Sequence, residues 1–243
     1  MLAEGTYVID DRPPPSEDFS FPVMKRIIIF ANGNLPDLDK ARTVLQPDDT
    51  ILCADGGTRH ALALGLKPDL VIGDMDSTEQ GQLKQLVDSG VEIELYPRDK
   101  NETDLEIALV RALEFDPTEI VILAALGGRM DQTLANISLL ADPRLSAIDV
   151  RLDDGVEEIF LCRDQVWTRG GRGDLVSLMP WEGPVEGVQT QNLKWPLIRE
   201  TLHPYKTRGI SNEMISDSAA VKIDSGLLLV VHRRHSQIKN RKS

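Results

Sequence analysis

The feature of this sequence that most restricts its fold is the regular alternation of short apolar runs with amphipathic stretches between residues 25 and 142. Apolar runs typical of buried strands lie at 26–30, 50–54, 70–72, 92–95 and 119–124. Helical periodicity marks residues 38–45, 59–64, 79–87, 103–113 and 130–140. This alternation predicts right-handed crossovers and a parallel sheet whose polar loops gather along one edge.

The pattern changes after Asp142-Pro143, where helical periodicity ends. Short strand candidates follow at 148–152, 156–162, 166–169, 175–180, 219–223 and 227–232. Asp153-Asp154-Gly155 and Asp224-Ser225-Gly226 are typical of hairpin turns. We therefore predict an α/β protein in four parts: a disordered acidic, Pro-rich leader (1–24), a Rossmann-like parallel-sheet domain (25–145), an antiparallel β-sandwich domain (146–235) and a basic tail (236–243).

Composition narrows the class of partner. The chain has 27 Lys and Arg against 39 Asp and Glu, a net charge of −12, which argues against nucleic acid as a partner. An anionic ligand would need metal ions or a local cationic cluster. The two cysteines, Cys53 and Cys162, lie in apolar runs, so we expect buried free thiols and a reducing compartment. No membrane span or secretory signal is expected, which favours a cytoplasmic location.

Paired carboxylates end one of the buried runs, in Gly73-Asp74-Met75-Asp76-Ser77. Two acids this close repel each other unless a cation lies between them, so a divalent metal is predicted. The structural alternative is a strand-to-helix turn in which Ser77 caps the helix and Gln80 completes a capping box. That cap does not account for both Asp74 and Asp76.

Five polar clusters fall on the predicted carboxyl-side loops. They are Asn32-Gly33-Asn34, Asp55-Gly56-Gly57, the 73–77 segment, residues 99–104, and Gly127-Gly128-Arg129-Met130-Asp131. Each alone has a structural explanation: Asn-Gly and Gly-Gly are turn sequences, and Thr103 with Glu106 fits a capping box. Arg129 and Asp131 could be a solvated pair. All five on one edge are harder to explain without a ligand.

Together these clusters supply what transfer from a nucleoside triphosphate needs. Glycine turns and helix N-termini offer backbone N–H groups to phosphates, and Lys100 and Arg129 offer positive charge. Asp74, Asp76 and Asp104 form an oxygen-rich set suited to Mg²⁺. The sequence contains neither a P-loop motif nor a Gly-x-Gly-x-x-Gly after its first strand, which weighs against P-loop enzymes and nicotinamide dehydrogenases.

At this point the sequence resembles the thiamine pyrophosphokinase family, over most of the chain from Lys25 to His232. Four of the clusters above carry the resemblance, those beginning at Asp55, Gly73, Asp99 and Gly127, together with Leu193-Lys194-Trp195-Pro196-Leu197 and Gly209-Ile210-Ser211-Asn212. The resemblance implies an ATP-binding catalytic domain, a thiamine-binding β-sandwich, and a homodimer with active sites at the interface. It also implies Mg²⁺-dependent transfer of pyrophosphate from ATP to the thiamine hydroxyl, which gives thiamine diphosphate and AMP.

The resemblance and the motifs together predict the site residues. Asp74, Asp76 and Asp104 would serve the metal, with Lys100 and Arg129 completing the catalytic set. The predicted nucleotide-side residues are Asn32, Asp55, Gly56, Gly57, Thr103, Gly127, Gly128 and Asp131. Trp195 would face the thiamine rings, since an indole face attracts a thiazolium cation, with Ser211 and Asn212 nearby, from either subunit. Asp55 and Asp99 are both candidates for the general base.

Two positions depart from the family pattern. Gln132 stands where the family commonly has histidine, and Asn192 stands where a glycine often precedes the Leu-Lys-Trp motif. A glutamine cannot titrate near pH 7, so Gln132 is assigned no acid–base role. Two alternative functions remain open. One is transfer to another hydroxymethyl heterocycle such as a pterin, and the other is a thiamine- or nucleotide-binding sensor without turnover.

Overall fold

The structure, a computed structural model, describes residues 25–75 and 80–235, without the side chains of 80–83. The predictions for the 1–24 leader, the 236–243 tail, Asp76 and the Ser77 cap lie outside the described residues.

Helices and strands alternate in the first half, as the sequence predicts. The strands there are β1 (Arg26–Phe30), β2 (Thr50–Ala54), β3 (Leu70–Gly73), β4 (Glu92–Leu95) and β5 (Glu119–Leu123). The helices are α1 (Leu38–Arg42), α2 (Thr58–Ala63), α3 (Gln80–Asp88), α4 (Asp104–Leu113) and α5 (Met130–Leu139), with 3₁₀ turns at Asp55–Gly57 and Pro143–Leu145. Each predicted element of this half is confirmed in type, with ends shifted by up to three residues.

The second half is almost entirely strand. Its strands are β6 (Asp149–Asp153), β7 (Glu157–Cys162), β8 (Gln165–Arg169), β9 (Leu175–Pro180), β10 (Val185–Gln191), β11 (Glu200–Leu202), β12 (Asn212–Glu213), β13 (Ser218–Lys222) and β14 (Leu228–Arg233). Strands β10, β11 and β12 are not among the strands predicted from the sequence. In β10, polar residues alternate with small ones, and the pairing register shifts between Val185 and Val188, so the strand has no regular apolar run.

One continuous sheet runs through both halves. Its ten strands follow the order β12-β9-β14-β7-β6-β5-β1-β2-β3-β4, and a second sheet has the order β11-β10-β13-β8. In this order, each pair of neighbours in β6-β5-β1-β2-β3-β4 is parallel. The remaining neighbours, in β12-β9-β14-β7-β6, pair antiparallel. The predicted fold class, a parallel α/β unit followed by an antiparallel sandwich, is confirmed. Strand β6 belongs to both arrangements, because it pairs in parallel with β5 and antiparallel with β7.

Burial explains why the central strands are apolar along their whole length. Helices cover both faces of the parallel sheet, so Ile27 and Ile29 of β1 point into one core cluster while Ile28 and Phe30 point into another. Helix α4, where helical periodicity is predicted, packs its apolar face against this sheet and buries Leu105, Ala108, Leu109 and Ala112. The packing of the helices on the sheet holds the ends of the strands in place, and so positions the loops that follow the strands.

The sandwich has its own apolar core between the two sheets. The hairpin prediction at Asp153-Asp154-Gly155 is confirmed, since β6 and β7 pair antiparallel. The prediction at Asp224-Ser225-Gly226 is wrong. Strand β13 pairs with β8 and β10, whereas β14 pairs with β7 and β9, so this turn carries the chain from one sheet to the other. A two-sheet core can connect consecutive strands across its layers, and local sequence cannot distinguish that from a hairpin.

Both cysteines are buried free thiols, as predicted. Burial raises the pKa of the Cys162 thiol to about 11. Within the described ranges, no helix has the length and apolar character needed to span a membrane.

Candidate active site

A cleft of about 480 Å³ opens at the carboxyl edge of the parallel sheet. The parallel sheet extends to both sides of β1: β2, β3 and β4 lie on one side and β5 lies on the other. Such a switch point leaves a crevice between the loops that follow the strands. Loops after β1, β2, β3, β4 and β5 all contribute to the walls.

The structure brings nine of the predicted site residues into this cleft. They are Asn32, Asp55, Asp74, Lys100, Thr103, Asp104, Gly127, Gly128 and Arg129. Loops that are distant in sequence therefore meet at one place, as the strand-end motifs require. The base candidate Asp99 is exposed and does not line the cleft.

Asp55 is the most deeply placed of the cleft acids. It directly follows β2 and is 6% exposed, and its Oδ1 has no hydrogen-bond partner. Its backbone φ of 42° is in the left-handed region, which aspartate tolerates better than most residues. Gly73, at the end of β3, makes room for it, since a Cβ there would lie 2.8 Å from Asp55 Cβ. A buried carboxylate oxygen without a partner costs free energy, so this position is built for a ligand rather than for stability.

Lys100 and Asp104 form a pair at the start of α4. Thr103 caps this helix by accepting a hydrogen bond from Glu106 N at 3.2 Å, which confirms the predicted N-cap. Lys100 Nζ lies 2.8 Å from Asp104 Oδ1, yet without the angle of a hydrogen bond, so that oxygen is also buried without one. The contact is an ion pair that a bound cation or phosphate could rearrange at low cost.

The cleft acids fit a hard divalent cation. Asp55 Oδ1 is buried without a hydrogen bond, Asp104 Oδ1 is buried with only the Lys100 ammonium beside it, and Asp74 lines the same cleft. Among residues 25–75 and 80–235 themselves, no three His, Cys, Asp or Glu side chains are close enough to form a metal cluster. Asp76, two positions after Asp74, is outside those ranges. An all-oxygen donor set of this kind suits Mg²⁺.

The loop after β5 contributes the cationic side chain of Arg129 to the cleft. Gly127 and Gly128 have φ of 78° and 71°, which only glycine adopts freely. Arg129 follows and donates two hydrogen bonds to Asp131, with Nη2 2.5 Å from Oδ2. This pairing lowers the pKa of the Asp131 carboxyl, although both side chains are highly exposed. Asp131 therefore lies beside the cleft, where it orients Arg129.

Gly56 and Gly57 lie behind the cleft wall. A Cβ on Gly57 would lie 2.0 Å from the carbonyl oxygen of Phe30, and one on Gly56 would lie 2.5 Å from Asn32 Oδ1. The glycines thus let β2 and its 3₁₀ turn approach the end of β1. Helix α2 holds the loop after β1. Arg59 Nη2 donates to the carbonyls of Asn32 and Gly33, and His60 Nε2 contacts Gly33 O at 2.9 Å. Burial lowers the pKa of His60.

Five further polar side chains line the cleft without having been predicted as site residues: Asn34, Arg98, Glu102, Gln132 and Asn136. Arg98, on the loop after β4, adds a third cationic side chain to the cleft, beside those of Lys100 and Arg129. Gln132 and Asn136 are four residues apart on α5 and so share a face with each other. Helical spacing counted from Arg129 could have identified both. Gln132 also stands at the histidine position of the family motif, whereas Asn136 belongs to none of the predicted motifs.

The residues predicted for the acceptor lie on the β-rich half and do not line the cleft. Asn212 is buried and clamps the Trp195 backbone, accepting from its N–H at 3.0 Å and donating to its carbonyl at 2.6 Å. The Trp195 indole is half exposed, with Lys194 Nζ 5.0 Å from the ring centre. Ser211, which precedes Asn212 in the sequence, is exposed. Asn192 has a φ of 61°, which explains why a glycine suits this position.

A second group of polar and ionisable side chains, buried except for its two arginines, lies where β7, β8 and β14 meet. We call it the seam cluster: His232, Glu158, Asp174, Thr168, Arg151 and Arg234. His232 is 0% exposed, with Nδ1 3.1 Å from Glu158 Oε2 and Nε2 3.0 Å from Asp174 Oδ2. Burial alone raises the pKa of Glu158, but His232 and Arg151 outweigh it and hold the pKa at about 2. None of its members lines the cleft.

Comparison with known proteins follows the same division of the chain. Residues 41–152 match the family described as "Thiamin pyrophosphokinase, catalytic domain", and residues 165–228 match "Thiamin pyrophosphokinase, vitamin B1 binding domain". A thiamine pyrophosphokinase of Bacillus subtilis is 29% identical over 86% of this chain and 98% of its own length. Thiamine pyrophosphokinase 1 of Oryza sativa subsp. japonica is 26% identical over 92% of each chain.

Solved structures agree with these sequence matches. The crystal structure of the Bacillus subtilis thiamine pyrophosphokinase superposes with a TM-score of 0.78 at 25% identity, covering 87% of this chain and 100% of the other. Yeast thiamin pyrophosphokinase, at 18% identity, superposes with a TM-score of 0.70 over 90% of this chain and 88% of its own, and so shows the fold alone.

Proposed function

The chain belongs to the thiamine pyrophosphokinase family, and on this premise we propose that it transfers pyrophosphate from ATP to the hydroxyl of thiamine, giving thiamine diphosphate and AMP. One observation carries the proposal: five strand-end loops bring acidic and cationic side chains together in one cleft. Phosphoryl transfer depends mainly on positioning and charge stabilisation, and these side chains supply both.

Asp74, Asp76 and Asp104 are the residues that would hold Mg²⁺. When bound there, the ion would neutralise charge on the phosphate oxygens. Lys100 and Arg129 would bind the phosphates directly, Arg129 through its planar fork. Gly127 and Gly128 let the backbone approach the polyphosphate closely. Apart from Asp76, which is outside the described residues, all of these residues line the cleft.

In the reaction, the thiamine hydroxyl oxygen forms a bond to the β-phosphorus of ATP. The bond from that phosphorus to the oxygen of the α-phosphate breaks, and AMP leaves with the electron pair. Of the two candidate bases, Asp55 is favoured because it lies in the cleft with an unsatisfied oxygen, whereas Asp99 does not line it. Asp55 would accept the hydroxyl proton as the new bond forms.

The direct test is AMP release from ATP and Mg²⁺ with thiamine or hydroxymethylpterin as acceptor. We expect AMP with thiamine only, and the Asp74→Asn variant should lose turnover by about a hundredfold or more. Asp48→Asn, which changes an exposed aspartate that does not line the cleft, is the matched control. AMP formed only with the pterin would favour the first alternative. ATP binding without AMP from either acceptor would favour the sensor.

The acceptor site is proposed to include a second copy of the chain. Trp195 and its neighbours do not line the cleft of their own subunit, and they stand beside exposed apolar side chains such as Ile198, which is 77% exposed. Met130 and Leu134 are likewise exposed on α5, next to the cleft. In a homodimer, the sandwich of one copy could place Trp195 over the cleft of the other, where its indole would face the thiazolium ring.

Mixing two inactive variants tests this arrangement. Heterodimers of Asp74→Asn and Trp195→Ala subunits contain one site with both changes and one site with neither. If the site is shared, equal mixing with free subunit exchange should restore about a quarter of the wild-type activity. If each subunit builds its own site, no activity should return. Sedimentation measures whether the chain is a dimer at all.

The remaining predictions follow from the same proposal. We propose that residues 25–145 form the ATP-binding domain and 146–235 the thiamine-binding domain. The matched ranges 41–152 and 165–228 support this division, although β6 is shared between the two sheet arrangements. We also propose a cytoplasmic location, which the two buried free thiols support.

A further inference from the structure

The loop after β5 is unusual because three of its residues have left-handed backbone conformations. Ala124 has a φ of 55°, Gly127 of 78° and Gly128 of 71°. The two glycines adopt this region freely, but Ala124 does so at a cost. Strained backbone persists only where its surroundings hold it in place. The loop that carries Gly127, Gly128 and Arg129 must therefore be anchored from outside.

The anchors act on three consecutive carbonyl groups. Gly33 N donates to Ala124 O at 2.6 Å, and Asn34 N donates to Leu126 O at 2.8 Å. Between them, Ala125 O accepts from Asn136 Nδ2 at 2.7 Å, in a buried contact. Two anchors are backbone groups of the loop after β1, and the third is a side chain of α5. Because a carbonyl can only accept, the amide nitrogen of Asn136 must be the atom that faces Ala125.

Asn136 is placed so that this bond controls the ligand site. It is 8% exposed, and it lines the cleft together with Ala125 and Gly127. In a planar peptide the C=O and the following N–H point in opposite directions, so holding Ala125 O also sets the Leu126 N–H. Without a donor, Ala125 O would be a buried acceptor with no partner, and rotation of this peptide is the simplest relief. Such a rotation would displace Gly127 and Gly128.

We infer that Asn136 is a positioning residue for the nucleotide. It holds the loop from Ala124 to Gly128 in the shape that receives the donor's phosphates, and it does not touch the reacting atoms. This inference rests on the proposed function, since it takes ATP as the ligand of that loop. It predicts that Asn136 variants lose more ATP affinity than kcat or thiamine affinity.

Asn136→Asp is the sharpest variant, because it keeps the shape of the side chain and replaces the donor by an acceptor. We expect it to raise the KM and the Kd for ATP about tenfold or more, with a smaller fall in kcat at saturating ATP and an unchanged KM for thiamine. Asn136→Ala should show a weaker form of the same split, and Asn136→Gln should recover part of the affinity. Ser138→Ala, which removes a bond from Ser138 Oγ to Leu134 O on the same helix, is the matched control and should behave like the wild type.

Two results would overturn the inference. Wild-type ATP affinity in Asn136→Asp and Asn136→Ala would show that the anchor is not needed. Equal losses for ATP and thiamine that follow a fall in Tm would show a general structural role. If Asn136→Asp does not fold, the Ala and Gln variants decide between the same outcomes. A wild-type protein that binds ATP but forms no AMP with thiamine would instead refute the proposed function. In that case, ATP titration of the Asn136 variants would still test whether Asn136 positions the nucleotide loop.

Discussion

The open cleft and the seam cluster contain similar side chains, but the structure treats them in opposite ways. In the seam, both oxygens of Glu158 and of Asp174 have partners, and His232 lies between the two carboxylates. In the cleft, Asp55 Oδ1 and Asp104 Oδ1 are buried without a hydrogen bond. A satisfied buried charge contributes to a unique packed structure, whereas an unsatisfied one costs stability until a ligand arrives.

This difference separates stability from function within one protein. Removing a seam partner leaves the remaining charge buried and alone, so folding should suffer. Removing a cleft acid relieves an unfavourable group, so folding should not suffer although the reaction does. The substitutions below are therefore tested for activity and stability together, because only the pair of readings tests the comparison.

The largest effect is expected from Asp55→Asn. As the proposed base, Asp55 should account for about a hundredfold to ten-thousandfold of the rate, and asparagine tolerates the left-handed φ of this position. The free energy of unfolding should stay within about 1 kcal/mol of the wild type or rise. AMP release and urea unfolding measure the two quantities. A stable variant with wild-type turnover would remove Asp55 from the mechanism, and a large loss of stability would break the comparison itself.

Glu158→Gln should give the opposite result. It removes the carboxylate that faces His232, Arg151 and Arg234, and breaking one partner of a buried charge network costs about 3–5 kcal/mol. Activity per folded molecule should remain near that of the wild type, because the seam cluster does not line the cleft. Urea unfolding and active-site titration check this. Glu157→Gln, which changes the half-buried neighbour on the same strand, is the control.

Acid sensitivity provides a smaller, graded test of the same region. Because the folded-state pKa of Glu158 is about 2, below its ordinary value of 4.5, its ionised form stabilises the fold. That contribution is complete above the unfolded-state value and is lost as the pH falls from about 4.5 toward 2. The Tm difference between the wild type and Glu158→Gln should therefore shrink over this window. A constant difference down to pH 2 would contradict the proposed charge network.

Asn192→Gly should have the smallest effect. Glycine adopts a φ of 61° without strain, but the change also removes the hydrogen bond from Asn192 Nδ2 to Ser218 O at 3.0 Å. The two terms oppose each other, so the unfolding free energy should change by less than about 1 kcal/mol. Thiamine KM, measured beside the Tm, should also stay close to the wild type. A large rise in KM would place this turn in the acceptor site.

Several parts of this protein follow from its sequence alone. Apolar runs with a helical stretch between them predict the parallel sheet, because only strands covered on both faces are apolar along their whole length. The motifs at Asp55, Asp74, Asp104 and Arg129 predict a phosphate-handling edge, since strand ends in a parallel sheet share one side. The N-cap at Thr103 is local chemistry and is equally readable.

Other parts were decided only by the tertiary structure. The turn at Asp224-Ser225-Gly226 joins two sheets, and Asn136 meets Ala125 only because α5 folds back beside the loop after β5. Gly56 and Gly57 belong to a cluster predicted to bind the nucleotide. In the structure, their lack of a side chain instead allows β2 to approach β1 closely. Sequence patterns report on neighbours along the chain, whereas partners across layers depend on how the layers pack. For the same physical reason, identical acids become a closed network at the seam and an open, unsatisfied site in the cleft.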